Sequence, residues 1–411
     1  MFRRNPQCCS DSGEYKTAAP ANDLEPLHSN SIPEQQPSLT QRPRRPTSCT
    51  SCTPRTSLAL SETPQSRTYV TIHYPPRLNH NSQQWLRLSF GLGWATWAGS
   101  VRILGSVRAE RPTNVAGHQG MCKNVIEKGA HSSPVLLYNR TKQRSVDFSA
   151  QFVADRTEIV DSIAAGVARA DIIFTILAKD DVVERVADEI LAAGDVKGKL
   201  FVECSTVHPD TTVRLAKRFH DRGAEFVAGP VFGAPAMAEA GQLVGVLAGP
   251  EASVQKARKY YQGVMAKGEI DMSGQPYEKA LQLKLIGNTF ILNMVEQVSE
   301  GLVLAEKSGL GTQYVHDFIA NILPGPYAAY STRILSGAYH RMSYPLFPVD
   351  LALKDARHAL SLAEASGVHM KNLEVANAHL ADVKAHDGEK GDIAGIYGAV
   401  RKESGLKYEN N

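Results

Sequence analysis

Cysteine is scarce in the part of this 411-residue chain that is rich enough in apolar residues to form a core. Four of the six cysteines lie in the first 52 residues, and the other two are Cys122 and Cys204. This distribution excludes a disulfide framework and favours a reducing compartment, so we expect a cytoplasmic protein. Cys49 and Cys52 form a C-x-x-C pair, but no second ligand pair follows at zinc spacing, so no metal site is predicted.

A strong charge of one sign and long apolar runs are also missing. The formal net charge is +3, which gives no reason to expect a nucleic-acid partner. No apolar run approaches the ~20 residues that a transmembrane helix needs, so no membrane partner is predicted either. The hydrophobic fraction of 43% is sufficient for folded cores, and the length suggests two or three domains.

Residues 1–85 differ in composition from the rest of the chain. They hold 11 of the 22 prolines, among runs of Ser, Thr, Gln and Arg. Such a segment buries too little apolar surface to offset the entropy of ordering, so we predict a disordered tail. Arg3 and Arg4 fit a mitochondrial transit peptide, whereas Asp11 and Glu14 do not, so a mitochondrial location stays the alternative. A basic arm that contacts a partner is a further alternative to a solvated tail.

Short β-rich runs alternate with helical segments from about 120 to 228. Strands are predicted at 135–138, 171–177, 200–203 and 225–227, and helices at 180–192 and 209–222. This alternation indicates an α/β fold with a Rossmann-type, doubly wound parallel sheet. Beyond 276 the chain is predicted to be nearly all helical. We therefore expect a dinucleotide-binding Rossmann domain over 86–275 and an all-α substrate and dimerisation domain over 276–411.

The glycine motif of a dinucleotide-binding fold is interrupted. A predicted strand at 88–90 runs into Gly91 and Gly93, which resemble the first two glycines of G-x-G-x-x-G. Such glycines allow a tight turn and let the backbone approach a pyrophosphate at a helix N-terminus. Here the expected helix resumes only near 120. We predict that 94–113 is an insertion, for which an unspliced intron in the gene model is one source, and a transcript encoding this stretch would contradict that.

The segment Asn139-Arg140-Thr141 follows the predicted strand at 135–138. In a dinucleotide fold this strand end faces the adenosine ribose, where an acid binds the 2′-hydroxyl and an arginine accommodates a 2′-phosphate. Arg140 without an adjacent acid favours NADP, with NAD as the alternative cofactor. A solvated turn is the structural alternative.

Two further segments lie where ligands bind in open α/β sheets. Ser205 and Thr206 follow the strand at 200–203, where they either hydrogen-bond a cofactor or cap the next helix. The loop at 229–243 is rich in Gly, Ala and Pro, and it contains Val231, Phe232 and Gly233. Small residues here leave backbone N–H groups free to bind an anionic ligand. The alternative is a structural turn.

A lysine lies inside an apolar helical stretch that begins near 277. Lys284 and Asn288 are four residues apart, so both point to one face of the helix. A lysine among leucines is desolvated, which lowers its pKa and suits it to proton transfer near neutral pH. The alternative is a lysine whose amine extends to solvent from the helix edge.

Together these segments resemble the β-hydroxyacid dehydrogenase family, which includes 3-hydroxyisobutyrate dehydrogenases and is related to 6-phosphogluconate dehydrogenases. The resemblance covers about 115 to 405. The matching motifs lie, in chain order, at 139–141, 205–209, 230–243, 284–288 and 347–355. It implies hydride transfer between NADP and a small β-hydroxyacid or its semialdehyde, and a homodimer or higher homo-oligomer.

The resemblance also implies roles for individual residues. Lys284 is the expected general acid and base, and Asn288 orients it or the substrate. Val231, Phe232 and Gly233 are expected to hold the substrate. Lys354 is expected to contact both substrate and cofactor.

The chain departs from the family pattern at several points. Phe232 stands where the family has a serine, which implies a different or more apolar substrate. Gly287 replaces the first of two usual asparagines, and the first dinucleotide glycines are interrupted. These departures support an alternative, a catalytically inactive dinucleotide-fold protein that binds or scaffolds.

Overall fold

The computed structural model describes residues 103–106 and 115–410, with side chains from 119 onward. The predicted tail over 1–85, the Cys49–Cys52 pair and the glycines Gly91 and Gly93 lie outside these residues. All described residues fall in one compact unit.

A single twisted sheet carries the first half of the described chain. Its strands are β1 Ile103–Ser106, β2 Val135–Tyr138, β3 Thr157–Ile159, β4 Ile172–Thr175, β5 Leu200–Glu203, β6 Glu225–Ala228, β7 Val231–Phe232, β8 Leu243–Gly249 and β9 Ala266–Ser273. They are ordered β3-β2-β1-β4-β5-β6-β8-β7, and β9 pairs with β8. Strands β1 to β6 pair in parallel, whereas β8 runs antiparallel to β6 and β7. The strand order reverses between β1 and β4, which is where doubly wound folds bind dinucleotides.

The strands are apolar on both faces because helices cover both sides of the sheet. In β5, Phe201 faces one core, while Leu200 and Val202 face the other. In β4, Ile172 and Ile173 divide between the two cores in the same way. Alternate residues of a strand point to opposite faces, so a continuous apolar run is what a sheet buried on both sides requires.

The position of β1 differs from the sequence prediction. Residues 103–106 lie inside the stretch 94–113, which was expected to be an insertion, yet they form the strand between β2 and β4. The predicted strand at 88–90 lies outside the described residues. A strand is needed here because β2 and β4 would otherwise each leave a row of buried backbone groups unpaired. The origin of 94–113 in an unspliced intron stays a prediction.

In the part of the chain that the structure describes, seven helices pack on the sheet. They are α1 Val115–Lys128, α2 Lys142–Ser149, α3 Ile163–Arg169, α4 Asp180–Ala192, α5 Pro209–His220, α6 Pro235–Glu239 and α7 Glu251–Arg258. The bounds of α4, β2 and β5 are those predicted from the sequence, and α5 ends two residues early. Gly120 lies where α1 crosses α6: a Cβ there would lie 2.5 Å from the backbone nitrogen of Glu239. A glycine is therefore required for this close approach.

Helices alone make up the second half of the described chain. They are α8 Glu278–Lys307, α9 Thr312–Ile322, α10 Pro326–Leu335, α11 Ala338–Arg341, α12 Val349–Ala365, α13 Lys371–Asp387 and α14 Ile396–Glu403. Helix α8 joins the halves: Leu281 packs in a core of the sheet, and Leu285 packs in the helical core. The predicted class, a Rossmann-type sheet followed by an all-α domain, is confirmed. Over the described residues no helix is both long and apolar enough to cross a membrane.

Candidate active site

Lys284 lies on α8 where the sheet and the helical part meet. Its neighbours along the helix, Leu281 and Leu285, belong to the two different cores, and Lys284 itself is half-buried between them. Burial lowers the pKa of Lys284 to about 8. The Asp355 carboxylate opposes this shift, and the charge of Lys354 lowers the pKa by a smaller amount. The direction agrees with the sequence expectation. An amine with this pKa exists in both protonation states near neutral pH, as an acid–base group requires.

A continuous chain of polar contacts links Lys284 to the sheet. The Nζ of Lys284 donates to Oδ1 of Asn288 at 3.0 Å, and Nδ2 of Asn288 donates to Oδ2 of Asp355 at 2.7 Å. The other oxygen of Asp355 lies 3.1 Å from Nζ of Lys354. Lys354 also donates to the carbonyl oxygen of Thr206, in the loop between β5 and α5. Helix α12 thus ties the lysine on α8 to the carboxyl edge of the sheet.

Asp355 connects these polar contacts; it closes the motif at 347–355, but sequence reasoning assigned it no role of its own. It is buried, and it holds Asn288 and Lys354 at once. Buried carboxylates are rare unless they are paired, so an acid on the apolar face of α12 was the available signal. Its hydrogen-bond partner on α8, Asn288, is 67 residues away in sequence, and spacing along the chain does not reveal this contact.

Phe232 covers one side of the Lys284 amine. The lysine Nζ lies 4.5 Å from the centre of the phenyl ring, within the range of a cation–π interaction. Phe232 and Val231 form β7, which pairs with β8. Gly233 follows with a φ of +142°, and a Cβ there would lie 2.6 Å from Leu243, so only glycine fits this turn. The structure thus brings Phe232 to Lys284.

Ser205 and Thr206 lie at the carboxyl end of β5. The Ser205 hydroxyl accepts a hydrogen bond from the backbone N–H of Leu177 at 2.7 Å, which joins the loops that follow β4 and β5. Beneath it, the Glu203 carboxylate accepts from the backbone N–H of Ser205 at 2.7 Å and from the hydroxyl of Thr175. Burial raises the pKa of Glu203 to about 7, against these hydrogen bonds. Ser205 therefore shapes the loop, and Thr206 offers its carbonyl oxygen to Lys354.

The turn at the end of β2 contains Asn139, Arg140 and Thr141. In the sheet, β1 and β4 separate β2 from β5, whose following loop contacts Lys354. The Asn139 side-chain oxygen accepts from the backbone N–H of Thr141 at 2.8 Å, which closes a tight turn. Its amide nitrogen is buried and has no hydrogen-bond partner among the described residues. Arg140 is exposed beside it. A buried donor without a partner costs free energy, so this turn suits a polar ligand.

These features fit a dinucleotide cofactor. The order of strands reverses between β1 and β4, and the crevice at that point receives dinucleotides in doubly wound sheets. Asn139 with its unpartnered amide lies at one end of this edge, and Ser205 with Thr206 lies at the other. The residues that would hold the pyrophosphate between β1 and α1, at 107–114, lie outside the described residues.

A second link between sheet and helices escaped sequence reasoning. The carboxylate of Asp180, at the start of α4, accepts from Nε2 of His358 on α12 at 2.9 Å. The same carboxylate accepts from the backbone N–H of His208 and from the hydroxyl of Thr211, both at 2.8 Å. Burial would raise the pKa of Asp180, but these hydrogen bonds hold it below its usual range. The His208 ring accepts from the backbone N–H of Asp210 at 3.3 Å and so caps the start of α5.

Two family models match the chain in succession. The NAD-binding domain of 6-phosphogluconate dehydrogenase matches residues 117–273. The NAD-binding domain of NADP-dependent 3-hydroxyisobutyrate dehydrogenase matches residues 279–400.

Individual proteins are similar over most of their length. The NADH-dependent oxidoreductase ucdB of Aspergillus ustus is 36% identical over 70% of this chain and 97% of its own. Glyoxylate/succinic semialdehyde reductase 1 of Arabidopsis thaliana is 26% identical over 63% of this chain and 86% of its own. A solved 3-hydroxyisobutyrate dehydrogenase of Mycobacterium tuberculosis with L-serine shares the fold, with a TM-score of 0.61 at 21% identity over 74% of this chain and all of that one.

The matched segments meet where the structure places Lys284. The first model ends with β9, and the second begins at the start of α8, so the lysine helix opens the second matched segment. The chain therefore belongs to the β-hydroxyacid dehydrogenase family of NAD(P)-dependent oxidoreductases.

Proposed function

We propose that this protein is an NADP-dependent oxidoreductase that interconverts an alcohol and a carbonyl group in a small molecule. The β-hydroxyacids and their semialdehydes are the substrate class that the family resemblance implies. The observation that carries the proposal is the position of Lys284. Its amine is desolvated, hydrogen-bonded to Asn288 and tied through Asp355 and Lys354 to the cofactor edge of the sheet.

The residues of this chain would have the following roles in the reaction. A bound nicotinamide dinucleotide supplies or accepts the hydride. Lys284 gives a proton to the substrate oxygen during reduction and removes one during oxidation. Asn288 fixes the direction of the lysine amine, and Asp355 fixes the Asn288 amide in turn. Positioning of this kind contributes a large part of the catalytic effect in such sites.

The cofactor assignment is tested by titrating the purified full-length protein with NADPH and with NADH. We expect NADPH to bind more tightly because the exposed Arg140 stands beside the Asn139 turn, where a 2′-phosphate is accommodated. An Arg140→Ala variant should lose roughly 10-fold in NADPH affinity, equivalent to about 1.4 kcal/mol, with little change for NADH.

Arg222→Ala is a matched control, since this exposed arginine lies after α5, at the amino ends of the strands. Tighter binding of NADH by the wild-type protein would contradict the NADP assignment. NADH is also the cofactor that the name of the Aspergillus ustus relative gives for that protein.

A dinucleotide-fold protein without turnover is the second candidate. The observation in its favour is that no glycine lies between Ser106 at the end of β1 and Gly117 within α1. In the dinucleotide-binding fingerprint, glycines in this turn let the backbone approach the pyrophosphate. A folded protein that binds neither nucleotide would support this candidate and end the enzymatic proposal.

The helical part offers a surface for a second copy of the chain. On α9, Tyr314, Phe318 and Ile322 follow one another at a spacing of four, and they are 69%, 55% and 63% exposed. On the neighbouring α8, Phe290 and Leu304 are exposed as well. Apolar surface of this extent on a folded protein usually marks an interaction site, and a stripe along one helix is self-complementary across a twofold axis. We infer a homodimer through α8 and α9.

Replacing Phe318 with glutamate should convert this dimer into a monomer, because two carboxylates would be buried near the twofold axis. Sedimentation velocity at micromolar concentration measures the result. Val153→Glu serves as control, since Val153 is 80% exposed in the loop after α2, far from α9 in sequence. A wild-type protein that is monomeric at these concentrations would refute the dimer.

A further inference from the structure

Phe232 and Gly287 fit together as a pair. A Cβ placed on Gly287 would lie 2.5 Å from Cε1 and Cζ of the Phe232 ring, closer than real Cβ contacts. The phenyl ring on β7 therefore lies directly against the backbone of α8, one turn beyond Lys284. Any larger residue at 287 would displace the ring, and only a smaller residue at 232 would make room for one. The two departures from the family pattern are thus one coupled feature of the structure.

The paired residues set the polarity beside the Lys284 amine. The ring face lies 4.5 Å from Nζ, so one flank of the amine is apolar and bears the partial negative charge of the π system. The side-chain amide of Asn288 faces the amine, but it is engaged with Lys284 and Asp355. The ring face offers no hydrogen-bond donor to a carboxylate, and its quadrupole repels one.

The nearby ammonium group of Lys354 is also engaged by other groups. Lys354 is only 7% exposed, and its amine contacts the Thr206 carbonyl oxygen and the Asp355 carboxylate. Recruiting it for a substrate carboxylate would leave Asp355 buried without its charge partner, which is costly. Among the described residues at this site Lys284 is then the remaining cation, but the proposed reaction needs its amine for proton transfer.

We propose that the Phe232–Gly287 pair selects aldehydes or ketones whose substituent on the reacting carbonyl is uncharged and largely apolar, rather than a substituent that carries a carboxylate. This inference rests on the proposed oxidoreductase function, and in place of the carboxylate-bearing substrates that the family resemblance implies it names uncharged carbonyl compounds. The phenyl ring then supplies a surface on which the apolar substituent packs while Lys284 serves the carbonyl oxygen.

Matched substrates of nearly equal length test the inference. Initial rates with NADPH are measured for succinic semialdehyde, for its uncharged methyl ester and for pentanal. For the wild-type protein we expect kcat/KM to be at least about 30-fold higher for the two uncharged aldehydes, the size expected when a charge must be accommodated without a partner. A Phe232→Ser variant should reduce this preference by about 10-fold or more, whereas Phe232→Leu, which keeps an apolar side chain, should retain it.

The coupling of the pair is tested by a double-mutant cycle. Gly287→Ala alone should lower the melting temperature and the activity on all three aldehydes, because its methyl group meets the ring. Combined with Phe232→Ser, the same Gly287→Ala change should cost much less. Additive effects of the two changes would contradict the pairing.

The outcomes separate the inference from the proposed function. A wild-type protein that reduces succinic semialdehyde better than its ester keeps the oxidoreductase function and overturns the inference, and an unchanged ratio in Phe232→Ser does the same. A wild-type protein that binds NADPH but reduces none of these aldehydes refutes the proposed function, and the inference falls with it.

Discussion

A Lys284→Ala variant should lose at least about 100-fold in kcat while it binds NADPH as tightly as the wild-type protein. General acid–base catalysis commonly contributes a factor of this size, and the amine is the titratable group that the structure places at the candidate reaction centre. The measurement combines steady-state rates with an NADPH titration of the same preparation. Lys279→Ala is the matched control, since Lys279 lies on the same helix but is exposed.

The pH dependence of the wild-type rate provides an independent check. The pKa of Lys284 is lowered to about 8 by burial. Reduction of a carbonyl needs the protonated amine, so kcat/KM should be highest below pH 8 and should fall as the pH rises through it. Oxidation of the alcohol needs the neutral amine, so that rate should rise through the same pH. Full activity of Lys284→Ala, or profiles without these opposite slopes, would remove Lys284 from the mechanism.

The second large effect concerns stability. His379 on α13 is buried between two carboxylates: Nδ1 lies 2.8 Å from Glu296 and Nε2 lies 3.0 Å from Glu403. The hydrogen bond to Glu296 is the main cause that raises the pKa of His379 to about 9, against the opposing effect of burial. Both ring nitrogens face acceptors, so the histidine is a cation that joins α8, α13 and α14.

The sign of the effect follows from proton linkage. The native state holds this proton more tightly than the unfolded chain, whose histidine pKa is about 6.5. The extra stability is therefore complete below pH 6.5 and is lost as the pH rises through 9. A shift of this size corresponds to about 3 kcal/mol, and the exposed Glu403 contributes little of it, so we expect a loss of about 2–3 kcal/mol.

Urea unfolding at pH 6, 7.5 and 9.5 measures the effect on the wild-type protein and on His379→Gln, which keeps a hydrogen-bonding side chain without the charge. The difference in unfolding free energy between the two should shrink as the pH rises. His369→Gln is the control, because His369 is exposed in the segment before α13. Parallel pH curves for wild type and His379→Gln would exclude the cation as a source of stability.

Much of the sheet could be predicted from the sequence because each strand carries its own signal. A strand buried on both faces must be apolar throughout, so β2 and β5 could be bounded from composition alone. Helix α4 was bounded equally well, between paired aspartates at its start and the end of its apolar periodicity. The strand β1 was misplaced because its four residues lie in a stretch without periodicity, and only the pairing with β2 and β4 identifies them.

The candidate site likewise contains some features that the sequence predicts and others that it does not. By itself the sequence determined what depends on near neighbours: the class of fold, the lysine within an apolar helix, and its alignment with Asn288 one turn later. Only the tertiary structure decided which distant groups meet there. Asp355 reaches Asn288 from α12, Phe232 reaches Gly287 from β7, and His358 reaches Asp180 across the two halves. The physical reason is that helical and strand periodicity order side chains over a few residues, whereas packing selects contacts between elements that are many residues apart.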